Sequence, residues 1–510
     1  MPLIIEGKHP LQGEVEIVGA KNAVLPIMAA TLLTADECLL ENVPYIEDIR
    51  NMVKVLHHLG VAARFEGPNV LRIKATRISK AFLSRELATK MRASFLVVGP
   101  LLARFGQAQA PHPGGCAIGT RPVSVDLKGF QMMGSELKIT EGDYVLQAPR
   151  LKAERLILDY PSHTGTENLM MAACLAAGTT IIENASIEPE VVDLANFLCA
   201  MGARVHGAGT STIEIEGTPR LHGAAYRIMP DRMEAGTFAL AALITGGSVR
   251  MDGAVSPYLG ALTNKMRSAG AEVIDTREYY EVRAPQVLLP TDIQTYPYPG
   301  FPTDLQAPFT TTMTQANGNS SIYETMFDDR LRYTAELARM GARIDVSGSG
   351  RMAMVHGPTP LKGAEVTALD IRSGAALILA AYYLTEAYKR ARAKCPPFRK
   401  RIYSNARELV DAFRVFWEQP ELLLSVRQNP VITPAFSEKL LLAVTGAHGC
   451  RYCTRVHSEI AKRLGLTSDE VGSLLRGRSA RARWMKPRRR SLPSNTPSAA
   501  ATLTRISSGG

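Results

Sequence analysis

The sequence predicts an α/β fold built from repeated helix–strand units, and three observations carry that prediction. Five segments share one shape: HHLGVAARFEG, QMMGSELKITEG, CAMGARVHGAG, RSAGAEVIDTR and ARMGARIDVSG. Their glycines, Gly60, Gly134, Gly202, Gly270 and Gly341, stand 74, 68, 68 and 71 residues apart. Each glycine ends an amphipathic run such as VVDLANFLCAMG, the place where a helix needs a residue that takes the left-handed conformation cheaply. Alternating residues follow, as in ARIDV, and read as a strand. Upstream of most of these sits a second apolar helix with a strand behind it, as in NLMMAACLAAGTTIIENA and TFALAALITGGSVRMDGA. One unit is therefore helix, strand, helix, strand, strand. Its period exceeds that of the usual solenoid repeats, and repeats that bury helices against sheets close into globular lobes.

A sixth unit opens at ALDIRSGAALILAAYYL. Its capping glycine belongs near residue 410, where the sequence reads IYSNARELVDAFRVFWEQ with no glycine. The repeat stops around residues 382–390, so the sixth unit is expected to be incomplete, with apolar surface and unpaired strand backbone exposed. From 386 to about 475 the chain reads as helical segments, broken at Pro396-Pro397 and Pro420.

A chain of 510 residues exceeds one ordinary core, so several domains are expected. The formal charge of +11 suggests nucleic acid, but its location argues otherwise. Residues 476–510 hold eight Arg and Lys486 with no Asp or Glu; that is +9, leaving +2 for everything before them. The segment reads as a disordered, solvated basic tail, and no specific nucleic-acid partner is expected. The start shows no signal-peptide pattern, and no apolar run reaches the ~20 residues of a membrane span. Seven cysteines, with only Cys450 and Cys453 close together, suggest a reducing cytoplasm.

Chemistry-bearing residues gather at unit junctions. GAKN places Lys21 and Asn22 at a helix start, and TKMRAS gives Arg92. The stretch HPGGCAIGTRP puts Cys116 and Arg121 on a glycine loop, where a neighbouring cation favours the thiolate. FPTD gives Thr303 and Asp304 before another helix, DDR gives Arg330, and LDIRSG gives Asp370 and Arg372. Helix starts with Lys and Arg nearby suit an anionic, phosphate-bearing ligand.

GAKNAVLP, MRASFLVVGP, PGGCAIGTRP, EPEVVDLANFL, FPTDLQAPF and DIRSGAAL closely resemble the UDP-N-acetylglucosamine 1-carboxyvinyltransferases, a family of enolpyruvyl transferases, over residues 1–385. The resemblance implies a two-lobed inside-out α/β barrel. Residues 22–229 would form lobe one with a mobile cysteine loop, and 1–21 with 230–385 lobe two. It implies transfer of the enolpyruvyl group of phosphoenolpyruvate to the sugar 3-hydroxyl by addition and elimination, without cofactor or metal. On that likeness Cys116 is the acid, Asp304 the base for the hydroxyl, and Lys21, Asn22, Arg121 and Arg372 hold the donor. Arg92, Ser162, Thr303 and Met326 fall at nucleotide-sugar positions. Ser124, Tyr160 and His163 depart from the family pattern, and an arginine in a DRGYE-like motif is missing. Enolpyruvylshikimate-phosphate synthases share the architecture but lack the PGGC loop.

EKLLLAVTGAHGCRYCTRVHSEIAKRLGLTSDEV, residues 438–471, resembles the alkylhydroperoxidase D and carboxymuconolactone decarboxylase superfamily. Cys450, Cys453 and His457 share one helical face, a thiol pair that cycles between dithiol and disulfide beside a base. Glu438 matches a proton-relay glutamate of the peroxidase members. The spacing also suits zinc, though no fourth ligand is evident. The resemblance implies an all-α, oligomer-forming thiol domain. Two expectations therefore stand together: an enolpyruvyl transferase with a redox-type appendage, or a transferase half silenced by its broken sixth unit.

Overall fold

The computed structural model describes residues 3–5, 10–114, 123–253, 256–383 and 504–508. Cys116, Arg121, Glu438, Cys450, Cys453 and His457 lie outside them.

Each of six units opens on an apolar helix: Lys21–Ala30, Val98–Phe105, His163–Ala173, Arg232–Thr245, Thr303–Met313 and Ile371–Tyr382. These helices are buried on nearly every side. In the third every residue from Gly165 on is buried, and in the fifth every residue from Leu305 on. A helix that is apolar all round belongs in an interior. The first three pack within one core that runs from Ala20 to Met229. The last three pack on one another in a second set.

Five units continue into a second helix: Glu47–Leu59, Ser124–Met132, Pro189–Ala200, Gly260–Ser268 and Thr334–Arg339. Gly60, Gly134, Gly202, Gly270 and Gly341 follow them with φ of 92°, 93°, 94°, 94° and 96°. That is the left-handed terminus the repeat of glycines predicts.

The sheets repeat as well. In the fifth unit Asn319–Tyr323 is a central strand, parallel to Ile293–Gln294 and antiparallel to Met352–His356, which pairs with Arg343–Val346. The first, third and fourth units use the same order, with Ala225–Arg227, Arg155–Ile157 and Gln12–Glu16 as the parallel neighbours. In the second unit a single parallel bridge between Phe82 and Gln109 takes that place. The first unit borrows its parallel strand from residues 225–227 and the fourth from 12–16, so the chain passes twice between the two sets of helices.

The two crossings run side by side. Ala20 N–H donates to Met229 O at 2.8 Å, and Asp231 N–H to Val18 O at 2.8 Å. Gly19 faces Pro230 across this antiparallel bridge. A β-carbon on Gly19 would stand 1.9 Å from the carbonyl oxygen of Asn42, which explains why GAKN begins with glycine.

The sixth sheet corrects two expectations. Thr504–Ser508 lies parallel to Glu365–Ala368 and antiparallel to Leu3–Ile5, and is the central strand of three. Neither the unpaired strand edge nor the disorder expected throughout 476–510 holds at these five residues. The reason is backbone hydrogen bonding: a strand edge offers donors and acceptors that any extended segment can satisfy, whatever its composition. Chain contacts group Thr502–Gly510 with Met1–Lys400 as one compact unit, and Arg401–Ala501 as another.

Candidate active site

The predicted residues of the last three units stand at helix starts. Thr303 and Asp304 are the first two residues of their helix, rather than preceding it, and Pro302 is the cap. Asp370 caps the sixth helix and accepts from Arg372 N–H at 2.8 Å and Ser373 N–H at 3.2 Å. Ser373 Oγ accepts in turn from Asp370 N–H at 2.8 Å, closing a capping box. Arg372 is thereby fixed in the first turn of the helix.

Asp304 sits between two guanidinium groups. Arg330 Nη2 donates to its Oδ1 at 2.7 Å, and Arg372 Nη2 to its Oδ2 at 2.6 Å. Burial pushes this carboxyl up, but the charges of Arg372 and Arg330, with Lys21 beyond them, outweigh it and hold Asp304 well below the usual carboxylate range. Burial works against Arg372, and the Asp304 and Asp231 charges reverse it, so its guanidinium is held above its ordinary value. Arg330 is buried and keeps its Nε without a hydrogen-bond partner.

Lys21 joins this cluster from the other set of helices. Its ammonium lies 3.1 Å from Asp48, and its backbone N–H donates to Asp231 Oδ2 at 3.3 Å. Asp231 Oδ1 accepts from Met233 N–H and Glu234 N–H at 2.8 and 3.1 Å, capping its own helix. One carboxylate thus caps two helices from different parts of the chain. Asn22 follows Lys21 on the first helix and is half-buried.

Glu324, fully buried, organises two of the predicted sugar-nucleotide positions. It accepts from Thr303 Oγ1 at 2.9 Å, from Met326 N–H at 2.8 Å and from Thr295 Oγ1 at 2.9 Å. Met326 itself is exposed.

Arg92 and Ser162 belong to a second locality. Arg92 opens a short 3-10 turn, Arg92–Val97, and lines a small cavity with Asp126, Thr164 and Asn168. Asn168 donates to Asp126 at 2.9 Å and accepts from Gly99 N–H at 2.8 Å. Burial pushes Asp126 up to about 6, against the Asn168 hydrogen bond and the Arg92 charge. Ser162 caps its helix by accepting from Gly165 N–H at 3.1 Å. Beside it His163 lies 3.1 Å from Glu167. Burial depresses His163, but Glu167, helped by Glu190 and Glu188, lifts it to about 9.

Between these localities Arg232 bonds Glu190 at 3.0 Å and also pairs with Glu188, while Tyr298 N–H donates to Glu188 at 3.1 Å. The sequence pattern does not single out Asp231, Arg232, Glu188, Glu190 or Glu324 as site residues. The signal for Asp231 is legible afterwards: PDRMEAGTF puts an aspartate at the cap of an apolar run. Glu324 gives no such signal, because its partners lie up to 29 residues away on other elements.

Comparison with known proteins accords with this layout. A model of the EPSP synthase (3-phosphoshikimate 1-carboxyvinyltransferase) family matches residues 5–396. The chain belongs to this enolpyruvyl transferase family. Two relatives, both called UDP-N-acetylglucosamine 1-carboxyvinyltransferase 1, come from Caldanaerobacter subterraneus subsp. tengcongensis and Carboxydothermus hydrogenoformans. The first is 46% identical over 377 residues, covering 74% of this chain and 90% of the relative. The second is 46% identical over 376 residues, covering 74% and 89%. Among solved structures, the enolpyruvyl transferase NikO from Streptomyces tendae superposes with a TM-score of 0.67 at 23% identity, over 75% of this chain and 91% of that one. An EPSP synthase from Acinetobacter baumannii gives 0.58 at 17%, over 76% and 94%. These structures share the α/β fold of repeated units. Residues 420–489 of this transferase match the carboxymuconolactone decarboxylase family, so the chain carries that domain too. Among the described residues no helix is long and apolar enough to cross a membrane.

Proposed function

We infer that this chain transfers the enolpyruvyl group of phosphoenolpyruvate to the 3-hydroxyl of UDP-N-acetylglucosamine with release of phosphate, the first committed step of peptidoglycan synthesis. Its relatives at 46% identity carry that activity in their names. The observation that carries the reading is the clamp of Arg330 and Arg372 on Asp304, with the Lys21 charge acting on the same carboxylate.

Three cations around one carboxylate form a site for an anion that brings more negative charge than Asp304 does. Phosphoenolpyruvate, with phosphate and carboxylate groups, competes for the arginines. An Asp304 released from either guanidinium loses the attraction that keeps its pKa low, while burial still raises it. It then becomes able to take the proton of the sugar hydroxyl. The donor thus switches on the base. Cys116, as the thiol, gives a proton to the methylene carbon of the donor while the hydroxyl oxygen bonds to its C2 and Asp304 takes the hydroxyl proton. In the elimination phosphate leaves C2, the new methyl carbon returns a proton to the Cys116 thiolate, and the double bond is restored. Arg121 stabilises the Cys116 thiolate that the addition step leaves behind. Asn22 assists Lys21 with the donor. Thr303 and Met326, tied together by Glu324, with Arg92 and Ser162 from the other locality, receive the nucleotide sugar. The reading places the reaction in the cytoplasm, where Cys38, Cys174 and Cys199 remain thiols. We assign Glu438, Cys450, Cys453 and His457 to a separate thiol site.

Mass spectrometry of the chain incubated with both substrates tests this. A product heavier than UDP-N-acetylglucosamine by one enolpyruvyl group is expected. An unchanged nucleotide sugar, with folded protein and both substrates bound, contradicts the reading.

A further inference from the structure

We propose that the cleft between Leu3–Ile5 and Glu365–Ala368 is a strand-sized docking slot whose occupant is this chain's own Thr504–Ser508, and that this docked strand positions Arg372. Residues 383–503, including the region matched by the carboxymuconolactone decarboxylase model, are then an insertion within the sixth unit and not an appendage after it.

The argument begins with spacing. In four units the central strand starts sixteen residues after the first residue of the opening helix: Lys21 and Glu37, His163 and Thr179, Arg232 and Ser248, Thr303 and Asn319. Applied to Ile371, that spacing points to residue 387, outside the described residues. The topological place of that strand is filled by Thr504–Ser508. Its neighbours have the senses found in the other units: parallel to the strand before the helix, antiparallel to the next one. Leu3–Ile5, from the other end of the chain, takes the role that Met352–His356 plays in the fifth unit.

Register supports this occupant. Ile506 pairs in backbone register with Leu3 on one side and Val366 on the other, and all five residues of the strand are in register with a neighbour. Backbone pairing on both sides gives affinity, as when an extended peptide adds to a sheet edge. The helix Ile371–Tyr382 packs against all three strands. Arg372, its second residue, reaches Asp304 from that floor.

Two experiments decide the matter. The first needs no variant: hydrogen exchange on the intact chain, followed by fragment mass spectrometry. Amides of 504–508 should exchange about 100-fold slower than in a free peptide, as expected for paired sheet backbone. Exchange at the free-peptide rate overturns the proposal. Protection that disappears on dilution, together with a dimer mass, shows a neighbour's tail in the slot and overturns the assignment to the chain's own. The second compares the full chain with Ile506→Pro and with a chain ending at Ala501, with and without the added peptide TLTRISSGG. Each change should raise the KM for phosphoenolpyruvate about tenfold, the peptide should reverse it in the shortened chain, and the nucleotide-sugar KM should move less. An unchanged donor KM overturns the positioning role. Only this second readout rests on the transferase reading.

Discussion

The fifth and sixth units hold the two arginines of one clamp, and they reach that arrangement by different routes. The fifth is contiguous: helix, strand, short helix and hairpin follow one another from Thr303 to His356. The sixth is assembled from three separated pieces, Leu3–Ile5, Glu365–Tyr382 and Thr504–Ser508. Their helix starts differ in a matching way. The fifth helix begins at Pro302 with no side-chain cap, and its aspartate is left to the arginines. The sixth begins with a full capping box at Asp370 and Ser373. In this pair the helix whose strands are remote in sequence fixes its own start locally, and the helix with a contiguous hairpin has no side-chain cap.

That contrast can be broken at several points. The largest effect belongs to the shared carboxylate. Asp304→Asn should lower kcat by about 10²–10⁴, the range for loss of a general base, while phosphoenolpyruvate binding is retained. A rate within a few-fold of wild type would remove Asp304 from the chemistry. Next come the arginines. Arg330→Ala and Arg372→Ala should each weaken phosphoenolpyruvate binding by about 10–100-fold, from losing hydrogen bonds to a charged group. The two should separate in stability. Arg330, buried inside the contiguous unit, should lower the unfolding midpoint as well. Arg372, nearer the surface, should act mainly on binding. Calorimetric titration and urea melts read both, and equal stability losses would erase the distinction. Smaller still, Asp370→Ala should cost about 1 kcal/mol by loss of a helix cap, and Pro302→Ala clearly less. Equal costs would mean that the capping box does not compensate for distant strands.

The last break is read as a pH dependence. Asp304 has a depressed pKa when folded, so the unfolded chain binds more protons in acid. Its contribution to stability is present above the ordinary carboxylate pKa of about 3.9 and fades as pH falls through the lower folded value. Urea melts below pH 4 should show a steeper loss for wild type than for Asp304→Asn. His163 behaves in the opposite sense: raised to about 9, it contributes below its ordinary value, and that contribution fades as pH climbs toward 9. His163→Gln should flatten stability between about pH 6.5 and 9.

Much of the fold was legible because local physics writes it into short windows. Glycine after an amphipathic run marks five helix ends, and all five take positive φ. Lys21, Asp304 and Arg372 were legible as charged groups at helix starts, and the structure gathers them in one electrostatic cluster. Asp231 escaped notice because what it does for Lys21 spans 210 positions of chain. Thr504–Ser508 is not legible in the sequence because TRISS lacks strict alternation, and its pairing with Leu3–Ile5 and Glu365–Ala368 is a long-range fact. Composition alone read that stretch as solvated tail. Ser162, which the resemblance puts at a sugar-nucleotide position, also caps its helix through Gly165 N–H.

Phosphate release by the purified full chain, with phosphoenolpyruvate and UDP-N-acetylglucosamine together and each alone, tests the central claim most directly. The account predicts release that needs both substrates and is abolished by Cys116→Ala. Release that is absent from folded chain, or that survives Cys116→Ala unchanged, would contradict it.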